Sequence, residues 1–279
     1  MKFVKMEGTG NDFLFVEDNG SRDGWPNLAR AMCERHYGAG ADGLIVVLPS
    51  QKADVRMRLF NADGSEAEVS GNGVRCLVKY VIERGLAQSN EGRVKIEATH
   101  GVLEAQAFTK GDSVTAVRLS MGPPRVAPHD VPVIADMEPV IDFPLEVDGQ
   151  SLSVTCLSMG NPHAVLFVKE PVAGYLLEAL GPKVEHHPAF PERVNFGVAH
   201  VSSRERLEVR VWERGVGETL ACGSGCCAAM AAARMHGLVG DQVEIEQPGG
   251  VLTVEWDGKG DVYLTGPAEF VFEGEWPGS

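Results

Sequence analysis

Two short stretches of the 279-residue chain carry residue types suited to acid–base chemistry at a single carbon. They are Ser70-Gly71-Asn72-Gly73 and, 152 positions later, Cys222-Gly223-Ser224-Gly225. Each stands where a helix is expected to begin. A helix N-terminus presents unpaired backbone N–H groups and a partial positive charge that together hold a carboxylate, and glycines let that backbone come close to it. The same field favours thiolate over thiol, so Cys222 is expected to have a lowered pKa and to act as base or nucleophile. Ser70 alone would read as an ordinary N-cap. If both starts point into one cleft, a capping residue faces each side of an α-carbon. Inversion requires that arrangement: a base removes the proton from one face, an acid returns one to the other, and the helix ends stabilise the carboxylate as charge builds on it.

The elements that must hold these residues are read twice along the chain. Gly10-Asn11-Asp12-Phe13 recurs as Gly160-Asn161-Pro162-His163, and Arg58-Leu59-Phe60-Asn61 as Arg210-Val211-Trp212-Glu213. Gly85-Leu86 and Gly237-Leu238 close the two helices at the same spacing as their starts, and Val94-Lys95-Ile96-Glu97 returns as Val243-Glu244-Ile245-Glu246. Such self-similarity implies duplicated structure. Short β-rich runs dominate each half; the alternation in Leu207-Glu208-Val209-Arg210-Val211-Trp212 predicts a half-buried strand. The first helix carries Val74, Leu77, Val78, Val81 and Ile82 as a single apolar stripe, while the second is small and apolar nearly all round from Ala228 to Ala233.

The fold class expected is α+β: two homologous domains, each a strongly curved, mostly antiparallel sheet wrapped around a central helix, with the active site in the cleft between them. The division places an N-terminal domain at 1–122 and a C-terminal domain at 123–267, with 123–150 a connector-like, Pro- and acid-rich beginning. The tail 268–279 can pair back on either domain as a strand, and we place it on the N-terminal one.

Composition narrows the function. An apolar fraction of 44% with 23% charged residues is that of a globular protein, and a formal charge of −14 argues against nucleic acid or an anionic membrane as partner. Met1 to Glu7 has no apolar core of the length a signal peptide or anchor needs, so a cytoplasmic protein is expected. The six cysteines show no Cys-x-x-Cys pair, and Cys33-x-x-His36 has no matching second pair, so neither a disulfide framework nor a metal site is expected. Gly38-Ala39-Gly40-Ala41-Asp42-Gly43 fits a dinucleotide fingerprint by letter. However, it follows a helix-like segment and precedes a strand-like one, the reverse of the order that brings a pyrophosphate to a helix N-terminus.

At the residues quoted, the chain closely resembles the diaminopimelate epimerase family, whose members invert LL- and meso-diaminopimelate without a cofactor. The resemblance runs through Gly10-Asn11-Asp12-Phe13, Phe60 to Glu66, Gly71-Asn72-Gly73-x-Arg75-Cys76, Met159 to His163, Arg193-Val194-Asn195 and Glu213 to Gly225. It implies that Cys222 is one of two catalytic acid–base cysteines. Gly71, Asn72, Gly223 and Ser224 would bind the reacting carboxylate. Asn11, Asn61, Asn161, Asn195, Glu213 and Arg214 would hold the amino groups and distal end of a small amino-acid substrate, and the protein would be a homodimer. Arg214 suits a carboxylate and Glu213 an ammonium. The chain departs from the family pattern at Ser70, where the family has its second catalytic cysteine. A hydroxyl keeps the shape of a thiol but is a far weaker acid. Three readings stay open: an epimerase impaired by Ser70, a one-base amino-acid dehydratase or lyase, and an amino-acid-binding protein on the same scaffold.

Overall fold

The structure, a computed structural model, describes residues 1–67, 69–87, 91–99 and 101–277, so 278–279 of the expected tail lie outside the described residues. By compactness the chain divides into two units, one formed by Met1–Leu119 with the chain from Thr265 onward, the other by Ser120–Leu264.

In the first unit, β1 (Lys2–Gly8) turns at Thr9-Gly10 into the antiparallel β2 (Asn11–Glu17), and α1 (Trp25–Cys33) leads to β3 (Gly43–Leu48). β3 lies parallel to β2 with Phe13 opposite Gly43, and antiparallel to β4 (Val55–Asn61) with Gly43 opposite Asn61. The run Gly-Leu-Ile-Val-Val-Leu of β3 is buried throughout, as expected of a strand covered on both faces. β5 (Glu66–Ala67) pairs with β4. After α2 (Gly71–Glu83), β6 (Arg93–Ala98), β7 (Gly101–Lys110) and β8 (Ser113–Ser120) form an antiparallel meander, with β6 parallel to β4. The stretch Glu269–Glu275 pairs antiparallel with β1, from Lys2 opposite Glu275 to Glu7 opposite Glu269.

The second unit repeats the scheme. β9 (Phe143–Val147), β10 (Gln150–Ser158) and β11 (Pro162–Val168) run antiparallel in turn. α3 (Leu177–Glu185) precedes β12 (Asn195–Ser203), which lies parallel to β11 with His163 opposite Asn195. β13 (Arg206–Glu213) pairs with β12, with β14 (Gly217–Glu218), and in parallel with β15 (Gln242–Gln247). α4 (Gly223–Met235) precedes β15, and β16 (Gly250–Glu255) closes a hairpin with it. The stretch read as connector-like belongs to this unit's core: Val131, Val133, Val140, Leu145 and Val147 are buried with Val154 and Phe196. Its prolines and acids lie between valines whose burial composition alone does not reveal.

Both helices end in the same device. Gly85 and Gly237 take left-handed backbone (φ 66° and 69°), and Leu86 and Leu238 donate back to Val81 and Ala233 at 2.8 and 3.0 Å, the Schellman closure that favours glycine. α4 packs against β10 to β13 and against β16, so the sheet wraps it, and Gly225 to Ala233 are all buried. α2 differs from its predicted single stripe, because Arg75, Cys76, Lys79 and Tyr80 are buried along with the apolar positions. Its polar tips find partners: Lys79 Nζ donates to Val114 O at 2.7 Å, and Tyr80 donates to Glu17 at 2.7 Å. Long side chains can therefore occupy what periodicity assigns to a solvent face.

Candidate active site

Ser70 and Cys222 occupy the N-cap positions of α2 and α4 with nearly the same extended backbone, φ −123° and −126°. The glycine three residues on is required by space at the second start and only crowded at the first. A Cβ on Gly225 would lie 2.7 Å from Val211 Cγ2 and 3.3 Å from Cys222 Sγ; on Gly73 it would lie 3.1 Å from Ile45 Cδ1. Each start is braced by a bidentate ion pair between neighbouring strands, Arg58 with Glu66 and Arg210 with Glu218, both closing at 2.7 Å.

In the second unit the thiol is enclosed. Cys222 is buried, and its N–H donates to Gln247 Oε1 at 3.0 Å while Gln247 Nε2 donates to Cys222 O at 3.3 Å. Ser224 Oγ lies 3.6 Å from Cys222 Sγ and 3.2 Å from His163 Nε2, which also meets Asn161 Oδ1 at 3.0 Å. Glu213, at the end of β13, accepts from Thr219 Oγ1 at 2.5 Å and bears on the same thiol. Burial, reinforced by the Glu213 carboxylate, pushes the Cys222 thiol well above its ordinary range; the Ser224 hydroxyl and Gly225 amide oppose this without prevailing. The expected lowering is thus corrected, since desolvation next to a carboxylate outweighs the helix field. Burial, with the Arg214 charge nearby, also lowers His163 to about 3, so its imidazole is neutral. Asn195 donates to Pro162 O at 2.7 Å and accepts from Arg214 N at 2.9 Å, tying β11 to the turn after β13. Arg214 Nη1 reaches Glu192 O at 2.9 Å. Asn161, Asn195, Glu213, Arg214, Gly223, Ser224 and Cys222 therefore share one end of this unit's sheet.

In the first unit, Ser70 Oγ accepts the Gly73 N–H at 3.2 Å. Asn72 Nδ2 donates to Asn11 Oδ1 at 3.1 Å, joining the first turn of α2 to the start of β2. Asn61, at the end of β4, donates to Ser65 Oγ at 3.0 Å. Gly71 opens α2 beside Asn72.

His163, Gln247, Thr219 and Arg75 also contact the candidate residues, although sequence reasoning did not single them out for the site. His163, Thr219 and Arg75 fall inside motifs quoted above, where residue type alone does not separate them from an ordinary polar position. Gln247 comes from a β-hairpin distant in sequence and had no local signal. The other cysteines, Cys33, Cys76, Cys156, Cys226 and Cys227, are buried, and burial pushes the first three up to about 12.

Solved structures share this architecture. A probable proline racemase from Agrobacterium radiobacter superposes with TM-score 0.71 at 17% identity, covering 99% of this chain and 92% of that one. A hydroxyproline epimerase from Agrobacterium vitis gives 0.71 at 17% identity over 98% and 91% of the two chains. A Bacillus anthracis protein of the PhzF family gives 0.70 at 19% over 98% and 97%. The fold is therefore the one these racemase, epimerase and PhzF-type proteins hold in common.

The family described as Diaminopimelate epimerase matches residues 3–127 and 155–271. Diaminopimelate epimerases of Moorella thermoacetica and Desulfitobacterium hafniense are 46% and 45% identical, the first over 99% of both chains and the second over 98% of this chain and 97% of its own. That of Stutzerimonas stutzeri is 45% identical over 99% of this chain and 98% of its own. The chain belongs to the diaminopimelate epimerase family.

Proposed function

We propose that this protein is an isomerase that interconverts LL- and meso-diaminopimelate, without pyridoxal phosphate, in the supply of lysine and peptidoglycan precursors. Family membership over nearly the whole chain supports this reading. The observation that carries it is a thiol at the start of α4 enclosed by Glu213, Ser224 and Gln247, matched by a hydroxyl at the same position of α2.

In this reading the starts of α2 and α4 face one another across a cleft between two domains, 1–122 and 123–267. Gly71, Asn72, Gly223 and Ser224 grip the reacting carboxylate through helix N–H groups. Asn11, Asn61, Asn161, Asn195, Glu213 and Arg214 hold the ammonium groups and the distal head group. Substrate also answers the raised pKa of Cys222. An ammonium bound to Glu213 cancels the carboxylate that disfavours the thiolate, so Cys222 becomes a competent base only when the site is filled. Cys222 serves one face of the α-carbon. Ser70, as a weak acid already accepting from Gly73, limits the other, so proton exchange on the Cys222 face outruns complete inversion. Six buried cysteines suit a reducing compartment, and we place the protein in the cytoplasm as a homodimer.

The Ser70 cap also favours a second reading, a one-base dehydratase or lyase. Incubation with LL-diaminopimelate in D2O tests the epimerase. We expect deuterium at the α-carbon together with the meso isomer. Diaminopimelate has no leaving group at its β-carbon, so a parallel incubation with a β-hydroxy amino acid reads the lyase: release of water there, with no meso isomer from diaminopimelate, would replace the epimerase, and failure to bind diaminopimelate would contradict the epimerase reading.

A further inference from the structure

The glycine-rich stretch Gly38–Gly43, which resembles a nucleotide loop by letter, runs from α1 into β3 and is built for close approach. A Cβ on Gly38 would fall 2.4 to 2.7 Å from the carbonyl oxygens of Ala31, Met32 and Glu34. Gly40 has φ 74°, and its carbonyl accepts from Lys5 Nζ at 2.7 Å. Gly40 and Ala41 donate to Met32 O and Cys33 O at 3.0 and 3.1 Å. The loop so folded delivers Asp42. One of its oxygens accepts from Asn11 Nδ2 at 2.6 Å and from Asp12 N at 3.2 Å; the other accepts from Arg35 at 2.7 Å.

At the far side of the same asparagine pair lies Arg75, fully buried. It donates to Asn72 Oδ1 at 2.8 Å, to Thr9 Oγ1 at 3.1 Å and to Pro267 O at 3.0 Å. Thr9 has φ 54°, a backbone region a threonine rarely enters, and the Arg75 contact helps hold it there. A guanidinium only donates and a carboxylate only accepts. The Asn72 atom facing Arg75 must therefore be the oxygen, and the Asn11 atom facing Asp42 must be the nitrogen. The remaining pair, Asn72 Nδ2 to Asn11 Oδ1, then matches without a choice.

We infer that Asp42 and Arg75 are positioning residues that fix the direction of the Asn72–Asn11 amide relay, so that the start of α2 offers N–H donors, and not carbonyl oxygens, to an anionic group. This rests on the reading of that start as a carboxylate grip. A relay charged at both ends cannot flip to accommodate a cation, so it selects for the acid end of the substrate.

The test uses Asp42→Asn, which keeps the shape of an exposed side chain but lets the Asn11 contact run either way. Arg35→Met serves as control, removing the surface ion pairs to Asp42 and Asp12 while leaving the Asn11 bond. Calorimetry with meso-diaminopimelate should show Asp42→Asn weakening binding about tenfold, the equivalent of one oriented charge-assisted hydrogen bond, and Arg35→Met within about twofold. The rate of α-deuteration at saturation should stay within about threefold in both, because neither residue touches the base. Equal weakening by the two variants, or none by Asp42→Asn, overturns the inference. If the unmodified protein does not bind diaminopimelate, the functional reading fails on its own. The inference is then decided by the side-chain amide signals of Asn11 and Asn72 in NMR. Slow hydrogen exchange that quickens in Asp42→Asn and not in Arg35→Met upholds it, and no change overturns it.

Discussion

At the start of α2 the Ser70 hydroxyl caps its own helix, accepting the Gly73 N–H at 3.2 Å; at the start of α4 the Cys222 thiol lies 3.6 Å from Ser224 Oγ, with the Glu213 carboxylate bearing on it. The frames around the two are alike. Phe13 faces Gly43 across a parallel pair as His163 faces Asn195, and Asn61 stands where Glu213 stands, each at the end of the strand that precedes its helix start. Ala98 and Gln247 end equivalent strands, opposite Gly101 and Gly250. At each of these pairs the second unit has the residue with more hydrogen-bonding or charge: His for Phe, Asn for Gly, Glu for Asn, Gln for Ala. One duplicated scaffold has thus been furnished to hold and tune a thiol on one side. On the other it has an ordinary cap, next to a relay of asparagines tied at both ends. The backbone presents the same helix start twice, whereas the side chains place a thiol at only one of them.

The largest effect should come from removing that group. Cys222→Ala should lower α-deuteration of diaminopimelate by about a thousandfold, the usual scale for a positioned base, while leaving calorimetric binding nearly intact. Retained exchange would mean that the second start is not the reactive one.

Next is acid stability, through His163. Its pKa falls from 6.5 to about 3 on folding because the buried ring stays neutral. As pH drops below 6.5 the unfolded chain takes up a proton that the native chain refuses until near 3. This contribution to stability is therefore intact above the upper value and is lost progressively below it, by up to about 1.4 kcal/mol per pH unit. Urea unfolding at pH 7 and pH 5 should show a smaller drop in His163→Gln than in the unmodified protein. Equal drops would show that His163 does not carry this part of the acid sensitivity.

The smallest effect should separate the two glycines. Gly225→Ala drives a methyl into Val211 on a buried strand and should cost about 1–3 kcal/mol by overpacking. Gly73→Ala meets the flexible ends of Ile45 and Met57 and the Ser70 Cβ at ordinary or slightly short distances, and better helix propensity offsets those contacts to within about 1 kcal/mol. Thermal melts that rank the two alike would break the claim that the α4 start is the more tightly built.

Much of this architecture is legible in the chain because local signals agree with one another. The 152-residue spacing, the glycine-leucine helix ends and the alternation of Leu207 to Trp212 are backbone requirements written in residue type. What residue type leaves hidden is mostly burial. The direction of the Cys222 pKa depends on lost water and then on the Glu213 carboxylate, and an N-cap position alone points the other way. Arg75 and Lys79 read as the polar face of an amphipathic helix, yet both are buried because their tips reach Thr9, Asn72, Pro267 and Val114. Gln247 reaches Cys222 across 25 residues, and Asp42 reaches Asn11 across 31, separations at which no periodicity speaks. The valines of 131–147 are hidden in the same way among prolines and acids.

In the function proposed above, the two helix starts serve opposite faces of one α-carbon, with Ser70 as the weak side. Ser70→Cys tests it most directly, assayed by conversion of LL- to meso-diaminopimelate and by deuterium incorporation from D2O. A gain of about a hundredfold or more in interconversion is expected, the scale of one positioned acid or base, with little change in exchange at the Cys222 face. No gain in interconversion, while Cys222→Ala still abolishes exchange, would contradict the assignment of Ser70 to the second face.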